Sequence, residues 1–119
     1  MDATGSARAA AFDQLLAIWN GSDPDAVRGL VTTGYRGHML SVVPGERTAL
    51  EYPGWIGAYH AANPGARFVV VDQSSGPDRL WTRLEASLPD GRVAHGMNVS
   101  RFEGDLIAEE WAVWSPWLP

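Results

Sequence analysis

Residues 67–114 read RFVVVDQSSGPDRLWTRLEASLPDGRVAHGMNVSRFEGDLIAEEWAVW, and this stretch decides the fold. Residues 67–73 are valine-rich and suit a strand, 74–78 a turn, and 79–88 a second strand. Pro89-Asp90-Gly91 is a turn signal, and it leads into a third strand over 92–102. Glu103-Gly104 is another turn, before a fourth strand over 106–114. Long strands joined by short turns make an antiparallel meander.

Upstream the period changes from two to 3.6. Phe12, Leu15, Leu16 and Trp19 recur at i, i+3, i+4 and i+7, one face of a helix that Asn20-Gly21 ends. Asp23-Pro24 reads as an N-cap followed by a proline in the first turn of a short helix that buries Val27, Leu30 and Val31. Residues 35–43 read as a strand closed by a Pro44-Gly45 turn. Pro53 fits only the first turn of a third helix, with an apolar face of Trp55, Ile56 and Tyr59 and a stop at Asn63-Pro64-Gly65. Three helices before a meander make an α+β domain in which the helices cover one face of a curved sheet. The N-terminal helix is expected to lie across the inside of that sheet.

The 119 residues have room for one domain, residues 1–119, and not for a second core. The net charge is −5, the wrong sign for a nucleic-acid groove or an anionic membrane surface, so neither partner is expected. There is no cysteine, hence no disulfide, thiolate metal site or cysteine nucleophile. No apolar run approaches the ~20 residues of a membrane span, and the first dozen residues lack the pattern of a signal peptide. A cytoplasmic protein is the expectation. His38, His60 and His95 are far apart in sequence, and no close-spaced pair suggests a metal site. No phosphate loop, nucleophile elbow or dinucleotide fingerprint occurs, and no cofactor is expected.

Turn composition predicts which side chains share a face. A three-residue loop at 89–91 pairs Glu85 with His95 and Arg83 with Met97. A two-residue loop at Glu103-Gly104 pairs Met97 with Glu110. On these registers Trp81, Arg83, Glu85, His95, Met97, Val99 and Glu110 line one face, with Thr82, Leu84, Gly96, Asn98, Glu109 and Trp111 on the other. A different loop length would exchange Glu109 for Glu110. A His, an Arg and carboxylates among apolar neighbours suit a pocket wall. They equally suit a structural histidine beside a cross-strand ion pair.

The stretch from Pro64 to Trp114 resembles the SnoaL-like polyketide cyclases of the nuclear-transport-factor-2-like superfamily. The matching features are the Asn-Pro-Gly-Ala-Arg-Phe entry at 63–68, the Val-Val-Val-Asp-Gln strand, Arg83, and the run His95-Gly96-Met97-Asn98. Ser100-Arg101-Phe102 and Leu106-Ile107-Ala108-Glu109-Glu110-Trp111 continue it, and the N-terminal helix and His38 also fit. The resemblance implies an α+β cone, a strongly curved antiparallel or mixed sheet (an α+β barrel) around a long N-terminal helix with two further helices. It also implies ring closure by intramolecular aldol chemistry, with a last-strand carboxylate and a nearby His moving protons. The family often carries an acidic residue just after the Trp, where this chain has Ala112.

Two functional readings follow. In the first, a cofactor-independent cyclase or isomerase, of the lyase/isomerase kind, acts on a hydrophobic, polyketide-like carbonyl compound. Glu110 is its general acid/base, and Arg83 and His95 stabilise the enolate oxygen. His38, Trp55, Tyr59, Trp81 and Met97 would contact the ligand, and no residue holds a metal. In the second, the same cone binds a small apolar molecule without chemistry. A dimerising domain with an empty cone is a third possibility. Leu84, Trp111 and the apolar tail Trp114-Ser115-Pro116-Trp117-Leu118-Pro119 suggest a homodimer through the outer sheet face, unless the tail folds back.

Overall fold

The computed structural model describes residues 3–41 and 44–119. Helix α1 (Ala3–Trp19) is followed by a short 3-10 helix (Pro24–Gly29), strands β1 (Val31–Met39) and β2 (Gly45–Thr48), helix α2 (Tyr52–Ala62), and strands β3 (Arg67–Ser75), β4 (Arg79–Ser87), β5 (Val93–Glu103) and β6 (Leu106–Trp114). The strands form one mixed sheet in the order β2-β1-β6-β5-β4-β3, with β1 parallel to β6 and every other pair antiparallel. The sheet is not closed on itself, so the expected cone is present as an open one rather than as a barrel.

The local rules explain most boundaries. Gly21, at φ 126°, stops α1 in a conformation that other residues adopt only with strain. Asn20 then uses its amide like a strand residue, donating to the Phe68 carbonyl at 2.9 Å and accepting from the Phe68 N–H at 2.7 Å. The end of α1 is thereby tied to β3. The Asp23 carboxylate caps the 3-10 helix through the Asp25 N–H. In the β2–α2 turn Glu51 accepts hydrogen bonds from the Thr48 N–H and hydroxyl, at 2.9 and 3.0 Å. The Thr48 amide bond, then its hydroxyl bond, lowers the Glu51 pKa.

Phe12, Leu15 and Ile18 of α1 pack with Val27, Tyr35, Ile56, Leu80, Leu84, Phe102 and Ile107 in the main core. The helix therefore lies across the inside of the sheet. Strand β1 begins and ends earlier than the sequence suggests, and Val42 and Val43 lie outside the described residues. The four residues of β2 were not anticipated at all. The tail folds back: Val93 and Leu118 exchange backbone hydrogen bonds at 3.0 and 2.7 Å, and the Trp117 indole donates to Asn63 Oδ1 at 3.0 Å. Among the described residues no helix is long and apolar enough to cross a membrane.

The register at 89–91 is the expected one, with Glu85 opposite His95 and Arg83 opposite Met97. The register at the next turn is not. Gly104 and Asp105 form the loop, Glu103 pairs with Leu106, and Ala108 is left unpaired where the ladder slips between Arg101 and Phe102. Glu110 therefore lies opposite Ser100 instead of Met97. The inward face of β4 and β5 carries Leu80, Thr82, Leu84, Ala86, Ala94, Gly96 and Asn98, while Trp81, Arg83, His95 and Met97 point to solvent. Turning Arg79, Arg83 and Glu85 inward would strip water from three charges, so the Leu80–Leu84–Ala86 row is buried instead.

Candidate functional site

Between α1, α2, the inner sheet face and the returning tail lies a cavity of about 630 Å3. Its walls are mostly apolar or aromatic, including Phe12, Leu16, Trp19, Trp55, Tyr59, Phe68, Trp114 and Trp117. Burial pushes the Tyr59 phenol up to about 12. Among the described residues that line it, Arg47 and Glu110 alone are charged.

Glu110 is 2% exposed, and four donors converge on its carboxylate. Oε1 accepts from the Tyr35 hydroxyl at 2.8 Å and the Tyr52 hydroxyl at 3.2 Å. Oε2 accepts from Asn98 Nδ2 and Ser100 Oγ, both at 3.1 Å. The Arg47 guanidinium adds a charge, with Nη2 3.6 Å from Oε1 and Nε donating to the Tyr35 hydroxyl at 3.1 Å. Both carboxylate oxygens thus accept two hydrogen bonds each.

The sheet builds the cluster. Gly37 of β1 is the register partner of both Arg47 on β2 and Glu110 on β6, so the three form a row across the strands. Tyr35 lies two residues back on the same face as Gly37, and Ser100 and Asn98 come from β5 beside Glu110. Tyr52 opens α2, where the Trp19 indole donates to its hydroxyl at 3.2 Å, and its ring stacks on Tyr35 at 5.1 Å. Burial, then the Glu110 charge, raises the Tyr35 pKa far above the ordinary phenol value. Burial also raises that of Tyr52, against the lowering effect of Arg47. Both phenols remain donors. Burial works against the Arg47 charge, but Tyr52, Tyr35 and Glu110 more than offset this and raise its pKa.

Of the residues singled out from sequence, Glu110, Trp55 and Tyr59 reach the cavity. Arg83 and His95 do not share a face with Glu110; their side chains are 52% and 56% exposed. Arg83 pairs instead with Asp72 on β3 at 2.9 Å, a hydrogen bond that lowers the Asp72 pKa. Trp81 and Met97 lie on the same outer face as Arg83. His38 is also on that face, stacked on Trp111, with Nδ1 2.9 Å from Glu46 Oε1 and Nε2 2.7 Å from Glu109 Oε2. His60 bonds the Trp19 carbonyl at the end of α1. Tyr35, Arg47, Tyr52, Asn98 and Ser100 were missed. Asn98 falls on the face that turn composition sets opposite to that of Glu110, and no composition marks the strand that carries Arg47.

No protein-family model and no curated protein matches the sequence. Solved structures do match in three dimensions. A protein of unknown function from Mesorhizobium loti, described as NTF2-like, superposes with a TM-score of 0.77 at 19% identity over 98% of this chain and 97% of its own. The fold is that of the nuclear-transport-factor-2-like proteins. IdmH of Streptomyces antibioticus, a candidate polyketide cyclase, gives 0.76 at 21% identity over 91% of each chain. A candidate SnoaL-like polyketide cyclase from Jannaschia sp. CCS1 gives 0.80 at 12% identity over 97% of this chain and 90% of its own. The fold implied by the resemblance to SnoaL-like cyclases is thus the fold observed.

Proposed function

We propose that the protein is a cofactor-independent enzyme of the cyclase or isomerase kind, acting on a hydrophobic, polyketide-like carbonyl compound in the cavity. One observation carries this reading: a buried, fully coordinated carboxylate and its guanidinium partner stand at the wall of a mostly apolar and aromatic cavity. Glu110 removes a proton from the carbon beside a substrate carbonyl, and the C–H electron pair becomes the enolate double bond while charge moves to oxygen. A protonated Glu110 needs fewer donors, which frees the Tyr52 hydroxyl to join the Arg47 guanidinium in facing that oxygen. In a cyclase the enolate carbon then bonds to a second carbonyl of the same molecule, and the alkoxide takes the proton back from Glu110. In an isomerase the proton returns to a different carbon. The working unit we propose is a homodimer joined through the exposed sheet face.

A second reading, a binding protein without chemistry, is favoured by the saturation of Glu110, because its carboxylate oxygens are already occupied by four donors of the protein itself. The two readings separate with acetylnaphthalene in D2O. The enzyme reading expects NMR to show loss of the methyl protons beside the carbonyl, well above the rate in buffer. Glu110→Gln should abolish that exchange and keep the ligand bound. Tight binding with no accelerated exchange would leave the binding protein.

A further inference from the structure

We infer that Arg47, reaching across Gly37, anchors a carbonyl oxygen of the ligand, and that the cavity selects uncharged hydrophobic ketones over carboxylates. The inference deepens the proposed function and rests on its site, but not on catalysis.

The argument begins with the donors of the site. Tyr52 gives its hydroxyl proton to Glu110, Asn98 gives its amide protons to Glu110 and Ser100, and Ser100 gives its own to Glu110. Arg47 differs. Nε is bound to Tyr35, but among the described residues neither Nη group makes a hydrogen bond, and the 3.6 Å approach of Nη2 to Glu110 is an ion pair only. A guanidinium has five N–H donors, and here the fork of four is left uncommitted. The residue is 5% exposed and lines the cavity, so these donors are reached through the cavity rather than from the outer surface. Its plane is held by the Tyr52 ring, 4.0 Å from the guanidinium carbon, and by Trp55 at 5.7 Å. The uncommitted donors therefore face the cavity, where a ligand oxygen can accept a hydrogen bond from a charged group.

Gly37 makes the reach possible. It stands between Arg47 and Glu110 in the row across β2, β1 and β6. A Cβ there would sit 2.5 Å from the Tyr35 hydroxyl oxygen and 2.7 Å from Arg47 Nε. Any side chain at this position would push the guanidinium off its line. Gly37 is therefore a positioning residue.

Charge decides the ligand class. The lining charges of Arg47 and Glu110 cancel, and none of the other described lining residues is charged. A carboxylate on Arg47 would bring a second anion close to Glu110 in a poorly solvated site, whereas a neutral carbonyl accepts the same hydrogen bonds without that repulsion.

The test compares ethylnaphthalene, acetylnaphthalene and naphthoate, which share a flat body and differ in the group offered to Arg47. Binding is read at neutral pH by quenching of the cavity tryptophans. The ketone should bind roughly ten-fold or more tightly than either of the others, as a hydrogen bond to a charged group implies. Arg47→Met should bring the ketone down to the hydrocarbon, and Gly37→Ala should do so in part while hydrocarbon binding is retained. Equal affinity for ketone and hydrocarbon, tighter binding of naphthoate, or no ketone binding overturns the inference. The wild-type comparison needs no variant, so refutation remains possible if Arg47→Met does not fold. Ketone selectivity without proton exchange would sink the catalytic proposal alone.

Discussion

At the scale of single residues, the buried pair dominates. Removing one partner of such a pair strands the other charge and costs about 3–5 kcal/mol. Arg47→Met is therefore expected to destabilise the protein by about that much. Adding Glu110→Gln should recover part of the loss, because no buried ion then remains. Urea denaturation of the two single variants and the double variant closes the cycle, and strict additivity would show the pair to be uncoupled. The three tyrosines, Tyr35, Tyr52 and Tyr59, give a pH prediction, since all have folded pKa values above the ordinary 10.0. A raised value means that stability is fully present below pH 10.0 and is lost as pH climbs, because the unfolded phenols ionise first. Thermal melts should fall in alkali, and tyrosinate absorbance should rise together with unfolding. A phenol titrating near its usual value in the intact fold contradicts this. Glu110 was readable from sequence as a last-strand carboxylate. Arg47 was not, because nothing in Gly45-Glu46-Arg47-Thr48 announces a strand or the glycine opposite it.

At the scale of elements, the two hairpins show what turn composition can and cannot convey. Gly91 at φ 93° closes its loop as a left-handed residue, and the β4–β5 register follows. The β5–β6 ladder depends on an unpaired Ala108 that has no compositional mark, and that one-residue slip changed the face of Glu110 relative to His95, whereas the shifted loop alone keeps the faces. Side-chain charge carried the missing signal, because Arg79, Arg83 and Glu85 on alternate positions mark the solvated side of β4. The same sheet makes a packing prediction. Gly96 is opposite Trp114, and a Cβ at Gly96 would collide with the indole. Gly96→Ala should cost about 1–3 kcal/mol by overpacking. It should also push Trp114 into the cavity and weaken binding of acetylnaphthalene. An unchanged denaturation midpoint with unchanged affinity would show that the indole has room to move.

At the scale of the whole molecule, the sheet has two unlike faces. The inner one is used by the helices, the cavity and the returning tail, so Leu84 and the tail no longer argue for a partner. The outer one leaves Val69, Trp81, Met97 and Val113 at 55%, 41%, 60% and 48% exposure. Its charges are largely paired within the chain, as Arg83 with Asp72 and Arg101 with Glu109 at 2.9 and 3.4 Å. A second copy that meets this face about a two-fold axis would therefore bury apolar side chains and leave few unmatched ions. At ~25 cal/mol per Å2, an interface of about 800 Å2 per partner is ample for a stable pair. Light scattering at micromolar concentration should give twice the chain mass. Trp81→Glu and Met97→Glu should each give the monomer, with little loss of thermal stability because both positions are solvated in the single chain. The cavity opens on the opposite side of the sheet, so these monomers should still bind acetylnaphthalene. A monomeric wild type removes the dimer, and a monomeric variant that loses the ketone would mean that the two faces are coupled through the strands between them.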